Sequence, residues 1–262
     1  MSATDLSKMG TAKVVLNKSV CGHTVIEKYP VGEVEYRFYQ YAATELNQAG
    51  VATPKLFSAD ATLRKLSMEY IPHRVEQIDV ADDDAIIMLG RLHCFPANSE
   101  WRYHTHLWSE LALEKSLILL ALPDKSAQQL RLFQKSSDVL FGEQKLISGD
   151  SNAGNWGRRE NGDLVLFDWE RFGKGSPAID LAPLIKGMGM RQTFIDIAER
   201  YCQLSFHHDF YALAREIAIA KAWIVTEVVL LLNERQKSDF HLYLNWYKEN
   251  LPAWLDDTVK ML

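Results

Sequence analysis

The sequence predicts an α+β fold with two lobes, a small mixed lobe over residues 1–72 and a mostly helical lobe over residues 73–262. Up to Pro72, short β-branched runs alternate with one helical pattern. Beyond it, apolar residues recur mainly at the spacing of helices, and one β segment interrupts them at residues 155–170. Polar motifs collect at this interruption, so the sequence predicts the functional centre there.

Four strands and one helix are predicted in the small lobe. The helix covers residues 33–49, because apolar and aromatic residues recur with helical spacing from Phe38 to Leu46 and Gly50 ends the pattern. The first two strands flank a glycine-containing turn, which predicts a hairpin. The strand segments are AKVVLN, HTVIEKY, KLFSAD and KLSMEYIP.

Helices dominate the larger lobe. The first is predicted in DDDAIIMLGRLHCF, whose acidic start at residues 82–84 suits the positive end of a helix dipole. The remaining helices follow from apolar spacing. They are residues 107–120, 127–141, 191–205, 210–233 and 240–248.

The composition predicts a cytoplasmic protein that binds neither nucleic acid nor a membrane. The net charge is −5 and the basic residues are scattered, whereas a nucleic-acid groove needs a basic stripe. The three cysteines form no CxxC pair, and the N-terminal segment lacks the apolar core of an export signal. The most apolar long segment, residues 217–232, contains Lys221 and Glu227 and therefore predicts a buried helix.

The β segment predicts a hairpin that places two oxygen ligands side by side. Asn161-Gly162 is the strongest short signal for a two-residue turn, and such a turn pairs Glu160 with Asp163. Counting outward, Asn155 then lies opposite Asp168, with their Cβ atoms about 5 Å apart. An amide oxygen and a carboxylate at that separation suit a magnesium ion.

The segment ISGDSNAGNW places a carboxylate just before this hairpin. Asp150 follows an apolar run and stands in a loop of small and polar residues, a position from which it can accept a proton. A base beside an Asn and Asp metal pair is the arrangement used for phosphoryl transfer from a nucleotide. The alternative for these residues is a surface turn, a strand cap and a strand-end carboxylate.

The motifs of this region resemble those of a known enzyme family. GDSNAGN followed by LVLFDWERFGKGSPAIDLA resembles the aminoglycoside phosphotransferase and choline kinase family, whose pattern is roughly HGD-x4-N, a strand ending in DWE, and G-x-P-x-x-DLA. LGRLH is similar to a helix of these relatives of protein kinases, and LSMEYIP to their hinge. The resemblance is clearest over residues 146–184. It implies a two-lobed protein-kinase-like fold with a reduced N-terminal β lobe.

The resemblance also implies cofactors and catalytic roles. It implies that ATP binds between the lobes and that magnesium assists transfer of a phosphoryl group to a hydroxyl of a small molecule. In this scheme Asp150 is the catalytic base, and Asn155 and Asp168 hold Mg²⁺.

Four residues are assigned to the nucleotide through the resemblance. Lys28 is the candidate for the lysine of the phosphate-binding strand, and its ion-pair partner on the helix is Glu35 or Glu33. Backbone groups near Glu69 and Ile71 are expected to face the adenine.

A kinase-like protein without turnover, which would bind partners instead, is the alternative. Ser148 stands where the family has His, and the segment NKSVCGHT stands in place of a glycine-rich loop in a small lobe that looks one hairpin short. The complete set of Asp150, Asn155 and Asp168 favours catalysis, because a chain that holds no magnesium has no physical need of all three.

The acceptor is a small molecule whose identity stays open. The family's acceptors include aminoglycosides, choline, other amino alcohols and sugars, and the negative net charge favours a cationic one. The helices after residue 191 are expected to build its pocket, with help from residues 107–141. Trp223 and Glu227 share a helix face, which suggests either core packing or a cradle for a cationic amine.

Overall fold

The structure is a computed structural model that describes residues 4–5, 12–18, 24–142, 145–205, 209–236 and 239–262. Its strands are β1 Thr4–Asp5, β2 Lys13–Lys18, β3 Thr24–Tyr29, β4 Leu56–Asp60, β5 Lys65–Glu69, β6 His73–Arg74, β7 Lys145–Ile147, β8 Trp156–Arg158, β9 Leu164–Leu166 and β10 Gly173–Gly175. Its α-helices are α1 Glu33–Arg37, α2 Ala43–Gln48, α3 Asp83–Cys94, α4 Glu110–Leu120, α5 Asp124–Lys135, α6 Asp138–Phe141, α7 Ala178–Leu181, α8 Arg191–Ser205, α9 Phe210–Glu234 and α10 Phe240–Thr258.

The chain divides into two compact units. Unit 1 consists of Met1–Thr105 and Leu146–Gly173, and unit 2 of His106–Lys145 and Lys174–Leu262. All the site residues predicted from the sequence therefore belong to unit 1. The lobes predicted at residues 1–72 and 73–262 remain a prediction.

The main sheet of unit 1 has five strands in the described residues, in the order β1-β2-β3-β5-β4. The predicted hairpin is present as β2 and β3, which pair antiparallel from Lys13 with Tyr29 to Lys18 with Thr24. The turn between these two strands, including residues 19–23 of the segment NKSVCGHT, lies outside the described residues. The other two predicted strands are β4 and β5, and β1 was not predicted.

The predicted helix at residues 33–49 is present with an interruption. Between α1 and α2 the chain forms a π-helical turn, Phe38–Ala42, in which the amide of Ala43 donates to the carbonyl of Phe38. A π-helical turn inserts an extra residue and is found frequently at functional sites. Phe38 and Leu46, the ends of the predicted apolar pattern, are both buried.

The hairpin at β8 and β9 is present, but its predicted register is wrong by one residue. Trp156 pairs with Leu166, and the Arg159 amide donates to the Asp163 carbonyl over 2.9 Å, so the loop has three residues. A two-residue turn of the predicted type needs positive φ at both central positions. Only Gly162, at φ 89°, adopts it. Asn155 consequently lies opposite Phe167, whose amide donates to the Asn155 carbonyl, and not opposite Asp168.

The helices of unit 2 follow the predictions with shifted ends. The predicted helix at 107–120 begins later because the Ser109 side chain accepts a hydrogen bond from the Ala112 amide and caps α4. The predicted helix at 127–141 is divided into α5 and α6. Helix α8 has the predicted bounds, α9 ends one residue later than predicted, and α10 continues past Pro252.

Helix α9 forms part of the core of unit 2. Its lysine, Lys221, is buried and donates to the carbonyls of Ala182 over 2.9 Å and Ile185 over 2.7 Å. These bonds satisfy the carbonyls of the first residue of the 3-10 helix Ala182–Leu184 and of the residue that follows this helix, which explains the buried lysine in this mainly apolar segment. Within the described ranges, no helix is both long and apolar enough to span a membrane.

Candidate active site

Lys28 and Glu35 form a buried ion pair in unit 1. Lys28 lies on β3 and Glu35 on α1, and the Lys28 Nζ atom lies 2.8 Å from both carboxylate oxygens of Glu35. The exposed fraction of the side chain is 10% for Lys28 and 1% for Glu35. Such a pair fixes the helix to the sheet, because removing one partner would leave a buried charge without compensation.

Glu33, the alternative partner of Lys28, faces other cations. Its carboxylate accepts a hydrogen bond from the Arg37 Nε atom over 2.8 Å and also pairs with Arg64. Residues two positions apart on a helix point to different faces. The structure therefore brings Glu35, and not Glu33, to Lys28.

Asp168 also contacts Lys28, with 2.7 Å between the Nζ atom and the Asp168 Oδ1 atom. The residue follows β9 and adopts a left-handed backbone with φ 66° and ψ 68°. This conformation is uncommon for residues other than glycine and often marks functional sites. The exposed fraction of the Asp168 side chain is 34%, so part of the carboxylate is open to solvent.

Aromatic packing holds Asp168 against the helix that carries Glu35. Trp169, the next residue, is fully buried and stacks on Phe38 with ring centroids 4.2 Å apart and planes 10° from parallel. Phe172 contacts both rings edge-on. Buried aromatic contacts of this kind contribute beyond their buried area, so the positions of Asp168 and Glu35 depend on each other.

The charges of this cluster shift the pKa values of Glu35 and Lys28. Burial raises the pKa of Glu35 to about 7 against the attraction of Lys28, and the negative charges of Asp168 and Glu170 add to the rise. Burial works against the Lys28 ammonium too, but the carboxylates of Glu35 and Asp168 raise its pKa above the usual value. The single ammonium of Lys28 is thus shared by two carboxylates. Ionisation is less favourable for Glu35, because it is the more buried of the two.

Asp150 is held in its loop by a set of short hydrogen bonds. Its Oδ1 atom accepts from the Asn152 Nδ2 atom over 2.6 Å, and its carbonyl accepts from the Asn155 Nδ2 atom over 2.8 Å. The Asp150 amide donates to the Ser148 hydroxyl over 3.3 Å. Ser148, which stands at the position of the family's His, is buried and thus supports the loop directly.

The pKa of Asp150 is raised, chiefly by burial and further by the negative charge of Asp168, while Asn152 and Arg171 oppose the rise. The influence of Asp168 shows that the two carboxylates lie within electrostatic reach of each other. A raised pKa makes a carboxylate a better proton acceptor near neutral pH.

Asn155 and Asp168 carry side-chain oxygen atoms of the kind that magnesium prefers. Asn155 is the last residue of a 3-10 helix, Ala153–Asn155, and its amide nitrogen is used by the Asp150 carbonyl. Its side-chain oxygen is therefore the atom that remains for a cation. Together with the Asp168 carboxylate this is a set of hard oxygen donors, which magnesium prefers.

Glu69 is the last residue of β5 and Ile71 lies two residues further on, in the segment predicted as the hinge. The Glu69 amide donates to the Lys55 carbonyl over 2.9 Å. Ile71 makes no backbone hydrogen bond with the described residues, so its amide is available to a ligand. Gly157 on β8 packs against this segment, because a Cβ atom there would lie 2.6 Å from the Ile71 Cγ2 atom.

The Glu69 side chain is tied to the hairpin of β8 and β9. Arg159 donates to its two carboxylate oxygens over 2.7 and 2.9 Å and also to the Thr53 carbonyl over 3.1 Å. Paired charge-assisted bonds of this form are strong and geometrically specific. The hinge segment and the hairpin are thereby held together within unit 1.

Replacing Arg159 by Ala should destabilise the protein by about 1–3 kcal/mol, because the half-buried Glu69 carboxylate would lose two charged hydrogen bonds. Arg158→Ala is the matched control. Arg158 pairs with the exposed carboxylate of Asp84 over 2.7 Å, and its loss should cost about 1 kcal/mol or less. Urea unfolding of both variants measures the difference, and equal losses would contradict a special role for Arg159.

Arg171 is a polar residue of the site that the sequence did not single out. Its Nε atom donates to the Gly149 carbonyl over 3.1 Å, directly before Asp150, and its charge lowers the pKa of Asp150. It also contributes, after burial, to lowering the pKa of His104. A lone arginine after the DWE segment has no distinctive spacing, and therefore no pattern pointed to it.

Trp223 packs in the core of unit 2. It is 1% exposed, and its ring meets His106 and Phe141 edge-on with centroids 5.8 and 5.2 Å away. Its face is therefore covered by protein, which favours core packing over a cradle for an amine.

Known structures share this fold. A choline/ethanolamine kinase family protein from Mesorhizobium loti has a TM-score of 0.68 and 16% identity, covering 100% of this chain and 92% of its own. The complex of APH(2")-IIia with GDP and kanamycin has a TM-score of 0.67 and 13% identity, covering 96% and 93%. Amicoumacin kinase hAmiN, in complex with AMP-PNP, Ca²⁺ and Ami, has a TM-score of 0.62 and 14% identity, covering 96% and 88%.

These likenesses confirm the predicted α+β, protein-kinase-like fold. Among curated proteins, none matches the sequence significantly. The family model described as "Phosphotransferase enzyme family" matches residues 11–215, which is most of the chain. The resemblance stated from the motifs is thereby confirmed: the chain belongs to the phosphotransferase enzyme family and has the fold of a small-molecule kinase.

Proposed function

We propose that the protein transfers the terminal phosphoryl group of ATP, with magnesium, to a hydroxyl group of a small molecule. The observation that supports this most is the network of Lys28, Glu35 and Asp168, with Asp150 in electrostatic reach. This network combines the fixed cation of Lys28, the part-exposed carboxylate of Asp168 and the carboxylate of Asp150, whose pKa is raised. Catalysis of phosphoryl transfer consists mainly of positioning and charge stabilisation, which these groups supply.

Asp150 acts as the proton acceptor. The acceptor hydroxyl oxygen forms a bond to the terminal phosphorus, the bond from that phosphorus to the bridging oxygen breaks, and ADP leaves. The hydroxyl proton passes to the Asp150 carboxylate, whose raised pKa suits this role. The hydrogen bonds from Asn152 and Asn155 keep the carboxylate and its loop in place.

Lys28, Asn155 and Asp168 act on the phosphates. Lys28, kept charged by its two carboxylate neighbours, binds phosphate oxygens. Asn155 and Asp168 hold Mg²⁺ through their side-chain oxygens. When bound, the ion supplies positive charge that neutralises the phosphate oxygens.

The base of the nucleotide contacts the segment from Glu69 to Ile71. The amide of Ile71, which bonds to no backbone carbonyl among the described residues, is a hydrogen-bond donor for an acceptor nitrogen of adenine. The tie from Arg159 to Glu69 fixes this segment before the nucleotide arrives, and such preorganisation lowers the cost of binding.

The acceptor is a small alcohol, and the net charge of −5 favours a cationic one. Among the similar structures, one is a choline/ethanolamine kinase family protein and another is a complex with kanamycin, which illustrates the kind of small alcohol that proteins of this fold bind. Neither nucleic acid nor a membrane is a partner, and the protein acts in the cytoplasm.

A binding protein without turnover is less well supported. Ser148 and the short small lobe were the features that favoured it. Ser148 accepts a hydrogen bond from the Asp150 amide and so supports the loop, whereas residues 19–23 of NKSVCGHT lie outside the described residues. Lys28, Glu35 and Asp168 are connected by hydrogen bonds, and the carboxylate of Asp150 is also present.

A screen of acceptors tests the proposal. Purified protein is incubated with ATP and magnesium and with aminoglycosides, choline, ethanolamine or sugars, and ADP release and ³¹P NMR detect transfer. We expect at least one alcohol to stimulate ADP release and to yield a phosphate ester. Protection of bacterial growth against a panel of aminoglycosides would separate an antibiotic kinase from a metabolic one.

Arg171→Gln should reduce the turnover number about tenfold or more while leaving the affinity for ATP unchanged. The reason is that Arg171 holds the Gly149 carbonyl and so positions Asp150, and small displacements of a catalytic group cost large factors in rate. Arg171→Lys keeps the charge and should recover part of the rate. Steady-state kinetics with varied ATP measures both, and a rise in KM for ATP without loss of kcat would contradict this role.

A further inference from the structure

Two buried polar atoms on the helix of Glu35 have no hydrogen-bond partner among the described residues. They are the Tyr39 hydroxyl and the Glu35 Oε2 atom. The Lys28 Nζ atom lies 2.8 Å from Oε2 as well as from Oε1, so Oε2 is ion-paired but accepts no well-oriented hydrogen bond, whereas the Tyr39 hydroxyl has neither kind of partner in the part of the chain that is described. Tyr39 is 3% exposed and Glu35 is 1% exposed, so bulk water does not satisfy either atom. Each buried polar group of this kind needs an explanation, because leaving it unpaired is costly.

The two residues are placed to share one partner. Glu35 lies in α1 and Tyr39 follows four residues later, in the π-helical turn Phe38–Ala42. Residues four apart on a helix are neighbours on one face. The phenol group of Tyr39 is within electrostatic reach of Glu35, and also of Asp168 and Glu69. The Tyr39 phenol therefore lies near the carboxylates of the site.

Their hydrogen-bonding capacities are complementary. Burial, together with the negative charges of Glu35, Asp168 and Glu69, raises the pKa of Tyr39 well above its usual value, so the phenol keeps its proton and can donate. An ionised carboxylate only accepts hydrogen bonds. A buried water with two or three polar partners is the usual means of connecting such groups.

We propose that Tyr39 is a positioning residue whose hydroxyl binds the Glu35 Oε2 atom through one buried water. The contact stabilises the ionised form of Glu35, which in turn holds Lys28 in place for the phosphates. The part that concerns the phosphates rests on the proposed function, whereas the contact itself does not.

The contact should appear in the pH dependence of stability. Burial raises the pKa of Glu35 to about 7 in the folded protein, from an ordinary value of 4.5. The protonation of Glu35 therefore contributes to the free energy of unfolding. This contribution is fully present below about pH 4.5 and declines as the pH rises towards 7. The groups that face Glu35 are Lys28 from β3 and Asp168 and Glu170 from the segment after β9. A donor to the ionised carboxylate limits this decline.

Tyr39→Phe tests the contact by thermal unfolding without nucleotide from pH 5 to pH 9. We expect the Tm difference from the wild type to grow as the pH rises above 6, because only ionised Glu35 needs the lost donor. In a Glu35→Gln background the same substitution should have an effect that does not change with pH. A Tm difference that is constant over the range in the wild-type background would overturn the proposal.

Tyr36→Phe is the matched control. Tyr36 is a buried tyrosine of α1, and its hydroxyl accepts a hydrogen bond from the Gln40 Nε2 atom over 3.3 Å. Removing this hydroxyl should change the Tm by an amount independent of pH. If both variants show the same pH dependence, the effect does not come from Tyr39 and the proposal falls.

Kinetics test the link to Lys28. We expect Tyr39→Phe to raise the KM for ATP several-fold at pH 7, where more Glu35 is protonated, and to approach the wild type at pH 9. An unchanged KM at pH 7 would refute that link. A wild type that binds no nucleotide would instead refute the proposed function, while the unfolding series would still decide the contact with Glu35.

Discussion

Asp150→Asn is expected to reduce the rate of phosphoryl transfer by about 10²–10⁴-fold, the range typical of losing a general base. The amide cannot take the proton of the acceptor hydroxyl. It retains an oxygen that can still accept the hydrogen bond of Asn152, so the loop should keep its shape. Transfer is measured as ADP formation with a saturating acceptor.

The affinity for ATP distinguishes this result from general damage. Asp150 belongs to the proposed chemical step and not to the nucleotide contacts, so the Kd for magnesium-ATP should stay within about twofold of the wild type, a change of well under 1 kcal/mol. Unchanged turnover would remove Asp150 from the mechanism. A loss of turnover together with a loss of the folded state would be recognised by circular dichroism.

Asp168→Asn is expected to reduce turnover by about a hundredfold or more and to weaken the dependence of ATP binding on magnesium. The substitution removes one charge from the proposed metal pair. It also leaves the buried Lys28 with a single carboxylate, that of Glu35. Both changes act on the groups that stabilise the phosphates, while Trp169 and Phe38 still hold the backbone.

Asp163→Asn is the matched control for Asp168. It makes the same chemical change on the same hairpin, at an exposed residue whose side chain pairs only with Asn161 among the described residues. Turnover is measured at increasing magnesium concentration. Asp163→Asn should require the same magnesium concentration as the wild type, whereas Asp168→Asn should require a much higher one. If the two variants require the same magnesium concentration, Asp168 is not a metal ligand.

The sequence predicted the elements whose signal lies in their periodicity. Helix α8 was predicted with its observed bounds, and the strands β2 and β3 follow the β-branched runs AKVVLN and HTVIEKY. The strands β1 and β6 were missed because each has two residues, too few for any alternation. The register of β8 and β9 depends on the backbone of Asn161 and Gly162, which composition alone does not determine.

The sequence predicted the site residues that belong to a motif with fixed spacing. It did not predict those that are identified only by their contacts in the folded protein. The choice between Glu33 and Glu35 required the orientation of α1 towards β3, which places only Glu35 against Lys28. Arg171 and Tyr39 are part of no motif with fixed spacing, and only their neighbours in the structure identify them. Asn155 and Asp168 were named for a register that is wrong, although their oxygen atoms still suit a cation.

Calorimetry of ATP binding with and without magnesium tests the central claim most directly. The proposed function predicts binding by the wild type that is tighter with magnesium, and a loss of this magnesium effect in Asp168→Asn. Equal affinity with and without magnesium, or the absence of ATP binding in both conditions, would contradict the proposal that Asn155, Asp168 and Lys28 hold a magnesium nucleotide.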